Sequence, residues 1–184
     1  MKLELFFPVK PFSISQVFGV NGAYYQANGI NIKGHNGLDI RCSRGQIVRA
    51  SHNGEISIEI DSRQGHGVLI KTLDEREYPG GTSYFKTIYW HLLPNIPVVN
   101  GQNVKAGDVI GYADSTGFST GDHLHYGLKR CTKDGLTLDH ENGYLGAIDP
   151  EPYLSKLYAE DFRGFWAILD SIKATLNLIK AGIK

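Results

Sequence analysis

The chain reads as a mainly β protein of antiparallel sheets with an amphipathic α-helix near its C-terminus. Three observations predict this. Short apolar runs alternate with Gly, Asn and Asp turns from residue 35 to about residue 130. Twenty-two glycines among 184 residues point to many tight turns. After Pro150 the apolar period changes from two to three and four, which is helical.

Residues 1–34 form an entry segment, in which FSISQVFG offers a short strand and VNGAYYQANGINIKG reads as a loop rich in Gly and Asn. Tyr24 and Tyr25 in that loop are read as packing residues, with lining a cleft as the alternative. GLDIRC, QIVRAS, GEISIEI, GVLIKTL, FKTIYWHL, DVIGYAD and HLHYGLK are then strands. LDEREYPGGTSYFK is a long hairpin connection between two of them, a cleft wall or a solvated excursion. In the last segment Phe162, Phe165, Trp166, Leu169, Ile172, Leu176, Ile179 and Ile183 share one helical stripe. Asp161 can cap its start, and Lys180 and Lys184 suit its negative end. The expected division is a β domain over residues 1–155 and a helical extension over 156–184. The helix should pack on the domain or on a second copy of itself. A membrane surface fits less well, because the polar face is not especially basic.

Lysines plus arginines equal aspartates plus glutamates at 19 each. A nucleic-acid binder needs a positive face, so that class is disfavoured. No apolar run reaches a membrane span. Pro8 interrupts the short apolar start, so no export signal is read. Cys42 and Cys131 have no metal-knuckle spacing and read as two buried thiols, with a disulfide as the alternative. No GxGxxG, P-loop or internal repeat is present.

Four of the seven histidines stand in suggestive contexts: His35 with Asp39 in GHNGLD, His91 in YWHLL, and His123 with His125 in GDHLHYG. On a strand, residues two apart share a face, so HxH presents two imidazoles side by side. Fully extended, His35 and Asp39 would lie ~13 Å apart, so the glycines between must bend the chain if both are to meet one ion. Two imidazoles and a carboxylate are a zinc ligand set, and three protein ligands leave a position open for chemistry. The other two histidines are then available to act on the reactants. His52, beside Asn53-Gly54, together with His66 and His140, reads as a surface or turn histidine.

These landmarks occur in order from residue 13 to 153. SISQVFG, GHNGLDI, GQIVRASHNGEI, GHGVLIK, IYWHL, VVNGQNVKAGDVIGYADSTGFSTGDHLHYGL and IDPEPYL together resemble the lysostaphin/LytM-type peptidoglycan endopeptidases. The resemblance implies antiparallel sheets in a sandwich or half-barrel with a catalytic groove. It implies a single zinc ion held by His35, Asp39 and His125, with His91 and His123 as catalytic histidines. His123 would hold the water proton and His91 would stabilise the oxyanion. The implied partner is the peptide part of peptidoglycan, a stem peptide or cross-bridge. The implied role is a cell-wall hydrolase, a phage or prophage lysin among them, reaching the wall by lysis, virion delivery or processing. The alternatives are a silent wall-binding or activator module and a virion structural component. Asn21, Asn28 and Asn31 are possible extra donors to the metal. Asp122 stands where the family often has Pro, and Gly127 where it often has Glu; neither carries the chemistry.

Overall fold

Successive antiparallel hairpins build the main sheet. A computed structural model describes residues 1–158, 161, 163–180 and 182. The strands, in chain order, begin with β1 (Leu5–Phe7), β2 (Ile14–Gln16), β3 (Leu38–Arg41), β4 (Ile47–Arg49), β5 (Gly54–Asp61) and β6 (Gly65–Thr72). They continue with β7 (Arg76–Tyr78), β8 (Gly81–Leu92), β9 (Asn103–Val104), β10 (Val109–Tyr112), β11 (His123–Cys131), β12 (Ala147–Ile148) and β13 (Leu154–Tyr158). Among the described residues two α-helices complete the set, α1 (Gly22–Ala27) and α2 (Arg163–Lys180).

The main sheet runs β2-β3-β11-β8-β6-β5-β9, with β12 on β11 and β7 on β8. Its path is open at β2 and β9, so it does not close into a barrel. The antiparallel expectation holds throughout this sheet. The small β1–β13 pair is parallel. The strand β13 runs across position 155.

Period-two alternation sorts the two faces. Along β11, Leu124, Tyr126 and Leu128 are fully buried on the inner face, where Val48 of β4, Ile110 of β10 and Leu5 of β1 join the same core. The opposite face carries His123, His125 and Gly127. Residues Leu69, Ile88 and Trp90 form a separate apolar cluster. One sheet face thus supplies the core and the other is left for a groove.

Four expectations change. The Gly- and Asn-rich loop contains α1, whose end is tied by the Asn28 side-chain amide to the Tyr24 carbonyl at 2.8 Å. The long 73–86 connection folds as the tight β7–β8 hairpin, and Tyr78 packs under the Arg130 guanidinium and edge-on to Phe85. His52 is buried, not a surface turn residue, because Thr87 on the inner face of β8 bonds its Nε2 at 3.0 Å. His66 is half-buried at the start of β6. His140 is exposed as expected. The two thiols are free, Cys131 buried and Cys42 half-buried. In α2, Ile168, Ile172, Leu176 and Ile179 are exposed. Phe162, Ile183 and Lys184, and the side chains of Phe165 and Trp166, lie outside the described residues. No described helix is long and apolar enough to cross a membrane.

Candidate metal centre and groove

The register of β3 against β11 sets the site. Asp39 lies directly across from His125, and His123 lies across from Arg41. Cross-strand partners on one face hold their Cβ atoms ~5 Å apart, which brings carboxylate and imidazole into contact. His35 precedes β3, held by a paired exchange: Gly19 N–H donates to the His35 carbonyl at 2.8 Å and His35 N–H to the Val20 carbonyl at 2.8 Å. The bend at 35–37 then returns the ring over Asp39. Gly37 is required there, since a Cβ would stand 2.8 Å from the His125 ring and 2.7 Å from the Tyr126 carbonyl.

Three atoms converge as a result. His35 Nε2 is 3.0 Å from His125 Nδ1 and 3.0 Å from Asp39 Oδ1, and His125 Nδ1 is 3.2 Å from Asp39 Oδ1. Bonds of ~2.0–2.1 Å in a tetrahedral shell would separate ligand atoms by roughly 3.3 Å. The triangle therefore fits the face of a zinc-type shell, and among the described residues these three form the cluster able to hold an ion. The contact of His35 Nδ1 with the Val17 carbonyl, at 3.2 Å, fixes its tautomer and leaves Nε2 for coordination. Burial raises the Asp39 carboxyl, but hydrogen bonds from His125 and His35 outweigh it and hold the group well below the usual range. Burial lowers the basicity of His125, opposed by Asp39.

Two further imidazoles stand beside the triangle. The ring of His123 is 4.6 Å from that of His91, which is 6.1 Å from that of His125. His91 reaches them through a bulge. The step from His66 to Val68 in β6 matches the longer step from Leu92 to Tyr89 in β8. Strict alternation would put His91 behind Trp90; the extra residue, with His91 at φ 64°, turns it to the His123 side. A non-glycine residue in that region stores ~1–3 kcal/mol of strain, a pattern that clusters at functional sites. Gly67 accommodates the bulge, because a Cβ there would meet the Trp90 ring at 2.2 Å.

Both neighbouring rings are anchored at Nδ1. His91 Nδ1 contacts the Thr116 carbonyl at 2.7 Å, and His123 Nδ1 the Gly121 carbonyl at 2.8 Å. A carbonyl only accepts, so each Nδ1 carries the proton and each Nε2 is left as an acceptor. Burial, reinforced by repulsion from His125 and His123, lowers His91 to about 4.

All five sequence-derived residues line one groove of about 120 Å³. Tyr24 and Tyr25 line it too, so the packing reading of the sequence understates them. The Tyr25 ring lies parallel to His35 at 6.1 Å, and its hydroxyl accepts a 2.7 Å bond from Gln16 Nε2. Burial and the Asp39 charge push Tyr25 up to about 12. Gln16 and Thr116 carry no local sequence signal. Asn21, Asn28 and Asn31 are exposed.

Comparison with known proteins gives one family. Residues 33–145, more than half the chain, match the model for peptidase family M23. The glycyl-glycine endopeptidase ALE-1 of Staphylococcus capitis is 35% identical over 127 residues, covering 68% of this chain and 30% of that protein. The DD-carboxypeptidase/endopeptidase Mpg of Neisseria meningitidis is 38% identical over 93 residues, covering 50% of this chain and 19% of that protein. The chain thus spans less than a third of the length of these relatives. Among solved structures, a zinc-containing peptidase from Vibrio cholerae superposes with a TM-score of 0.58 at 25% identity, covering 80% of this chain and 39% of the other. The structure of LytU does so with a TM-score of 0.54 at 28% identity, covering 83% and 89%.

Proposed function

Because the chain belongs to peptidase family M23, we propose that it is a zinc-dependent endopeptidase that hydrolyses peptide bonds in bacterial peptidoglycan. The observation that carries this reading is the triangle of His35, Asp39 and His125 atoms at 3.0–3.2 Å, with two more imidazoles beside it in an open groove. In this reading residues 1–155 are the peptidase unit and 156–184 a helical extension. The endopeptidase activities for which the relatives are named support peptidoglycan peptides as the substrate.

His35, Asp39 and His125 would hold the ion. When bound, zinc supplies Lewis-acid polarisation and makes water a competent nucleophile near neutral pH. The protein's own groups handle the protons. His91 and His123 each commit Nδ1–H to a carbonyl, so in the neutral imidazole the atom each offers as a base is Nε2. This revises the donor role that the resemblance implies for His91. His91 becomes a donor only after it gains a proton, when its Nε2–H can serve the oxyanion or the leaving amine. His123 Nε2, 3.5 Å from Asp39 Oδ1, is the nearer of the two to the ligand triangle and is assigned the first proton. The Tyr25 hydroxyl, protonated across the neutral range, is a fixed donor on the opposite wall.

The test pairs zinc content with digestion of purified peptidoglycan, read by mass spectrometry. Wild type should bind zinc and release new peptide termini; His125→Ala should do neither. Chelation should abolish cleavage and added zinc should restore it. His91→Ala and His123→Ala should keep the metal and lose roughly 10²–10⁴-fold in rate. An active double variant would sink the division of labour. A metal-free protein that still binds peptidoglycan without cutting it would favour a silent binding module. The reading extends to a bacteriolytic, endolysin-like role, tested by clearing of wall suspensions on adding the protein from outside. It extends also to self-association through α2.

A further inference from the structure

The groove continues past His123 into an end of about 410 Å³ that shares Gln16, Asp39 and His123 with the metal centre. Arg41 lines this end. Its side of the sheet follows from register. Asp39 faces His125 and Arg41 faces His123 in one ladder. Residues two apart on a strand share a face, with Cα atoms ~7 Å apart. The Arg41 side chain therefore leaves β3 on the ligand side, one step beyond Asp39. It is exposed, and no described carboxylate pairs with it. Asp122 lines the same end without an ion pair to Arg41. An unpaired guanidinium beside a reaction centre is a fork aimed at a planar anion.

We propose that Arg41 is a specificity residue that pairs with a free carboxylate on the residue supplying the amine of the scissile bond. The preferred substrate is then a carboxylate-bearing stem peptide, and not the interior of a neutral oligoglycine bridge. The inference rests on the peptidase reading. Its chemistry is geometric. An α-carboxylate on the amine-side residue lies two bonds from the scissile nitrogen, so it must sit within one residue's span of the metal centre. Arg41 is the cationic side chain at that distance along β3. Arg63, which lines the groove on the His91 side, comes from the β5–β6 turn instead.

The experiment uses the full, zinc-loaded chain and two peptides that differ only in a carboxylate or carboxamide on the amine-side residue. Wild type should favour the carboxylate by roughly 10- to 100-fold in kcat/KM, the range for hydrogen bonds to a charged group. Arg41→Gln should bring the two peptides level by slowing the carboxylate one, with zinc content retained. Arg41→Lys should restore part of the preference. Equal rates for wild type, or an equal loss on both peptides in Arg41→Gln, would overturn the inference. So would cleavage of peptidoglycan at bonds whose amine-side residue bears no carboxylate, and that outcome would leave the peptidase reading standing. A wild type that cuts neither the peptides nor peptidoglycan would overturn the reading beneath it.

Discussion

At the scale of single residues, the arrangement turns on Thr116. Its carbonyl accepts a hydrogen bond from His91 Nδ1–H at 2.7 Å. Its hydroxyl donates to the Leu92 carbonyl at 2.9 Å and accepts from the His66 N–H at 3.2 Å. One side chain thus ties both strands of the β6–β8 bulge to the loop that aims a catalytic candidate. Val has the shape of Thr without the hydroxyl, so Thr116→Val should let His91 drift and lower kcat by roughly 10- to 100-fold, since ~1 Å of misplacement can cost that much. Thr116→Ser keeps both bonds and should recover most of the rate. Zinc content should be the same in both, which separates aim from collapse; steady-state kinetics with metal analysis checks this. Of the five candidate residues, His35, Asp39, His123 and His125 were legible in the sequence because HxxxD and HxH bring their own spacing, while His91 in YWHLL took its role from the family resemblance. Thr116 and Gln16 were not legible, because nothing beside them in the chain marks the groups they bond.

At the scale of elements, the strands of the main sheet were legible wherever period-two patterning or an apolar run lasted four residues or more, as in GLDIR and HLHYGLK. The strands β1 and β13 were not, because LFF and LSKLY are stabilised by pairing with each other across the chain. His52 is the instructive miss. Its neighbours Asn53 and Gly54 spell a turn, and its partners come from β8: Nε2 meets Thr87 Oγ1 at 3.0 Å, whose hydroxyl in turn meets Tyr89 at 3.1 Å. Burial lowers His52 to about 4. An unfolded histidine titrates near ~6.5, so between pH 6.5 and 4 the unfolded state takes up a proton that the folded state refuses. Stability from this group should be intact above pH 6.5, fall as the pH drops toward 4, and level off below, a loss of about 3 kcal/mol. Denaturant midpoints across that window should fall less steeply in His52→Gln than in wild type, although the variant starts less stable at pH 7.5. Parallel curves would place the proton elsewhere.

At the scale of the whole molecule, the polar side of α2 is tied down where Lys105 pairs with Asp170, and Lys10 pairs with Asp161 ahead of the helix at 3.6 Å. Among the described apolar side chains of α2, Leu169 is half-buried, Ile168 and Ile179 are 61% and 64% exposed, and Ile172 and Leu176 about half. The sequence places apolar residues at 162, 165, 169, 172, 176, 179 and 183, alternating steps of three and four. That is a period of 3.5, the repeat that keeps a seam facing another helix instead of a flat surface or a sheet. A second copy of this chain meets the requirement without a new partner. Leu169 and Leu176 alternate with Ile172 and Ile179 at the seam, and Ile168 widens it, a combination that favours three or four strands over two. Light scattering on the purified protein should therefore give a multiple of the 20.4 kDa chain that falls on dilution. A double change, Ile172→Asp with Leu176→Asp, should give a monomer that still cuts a soluble peptide at the wild-type rate. Release of fragments from intact wall should drop more, because linked catalytic units gain effective concentration on a polymer. A wild type that stays monomeric at every concentration, yet binds anionic vesicles through α2, would assign this face to a lipid surface and end the case for assembly.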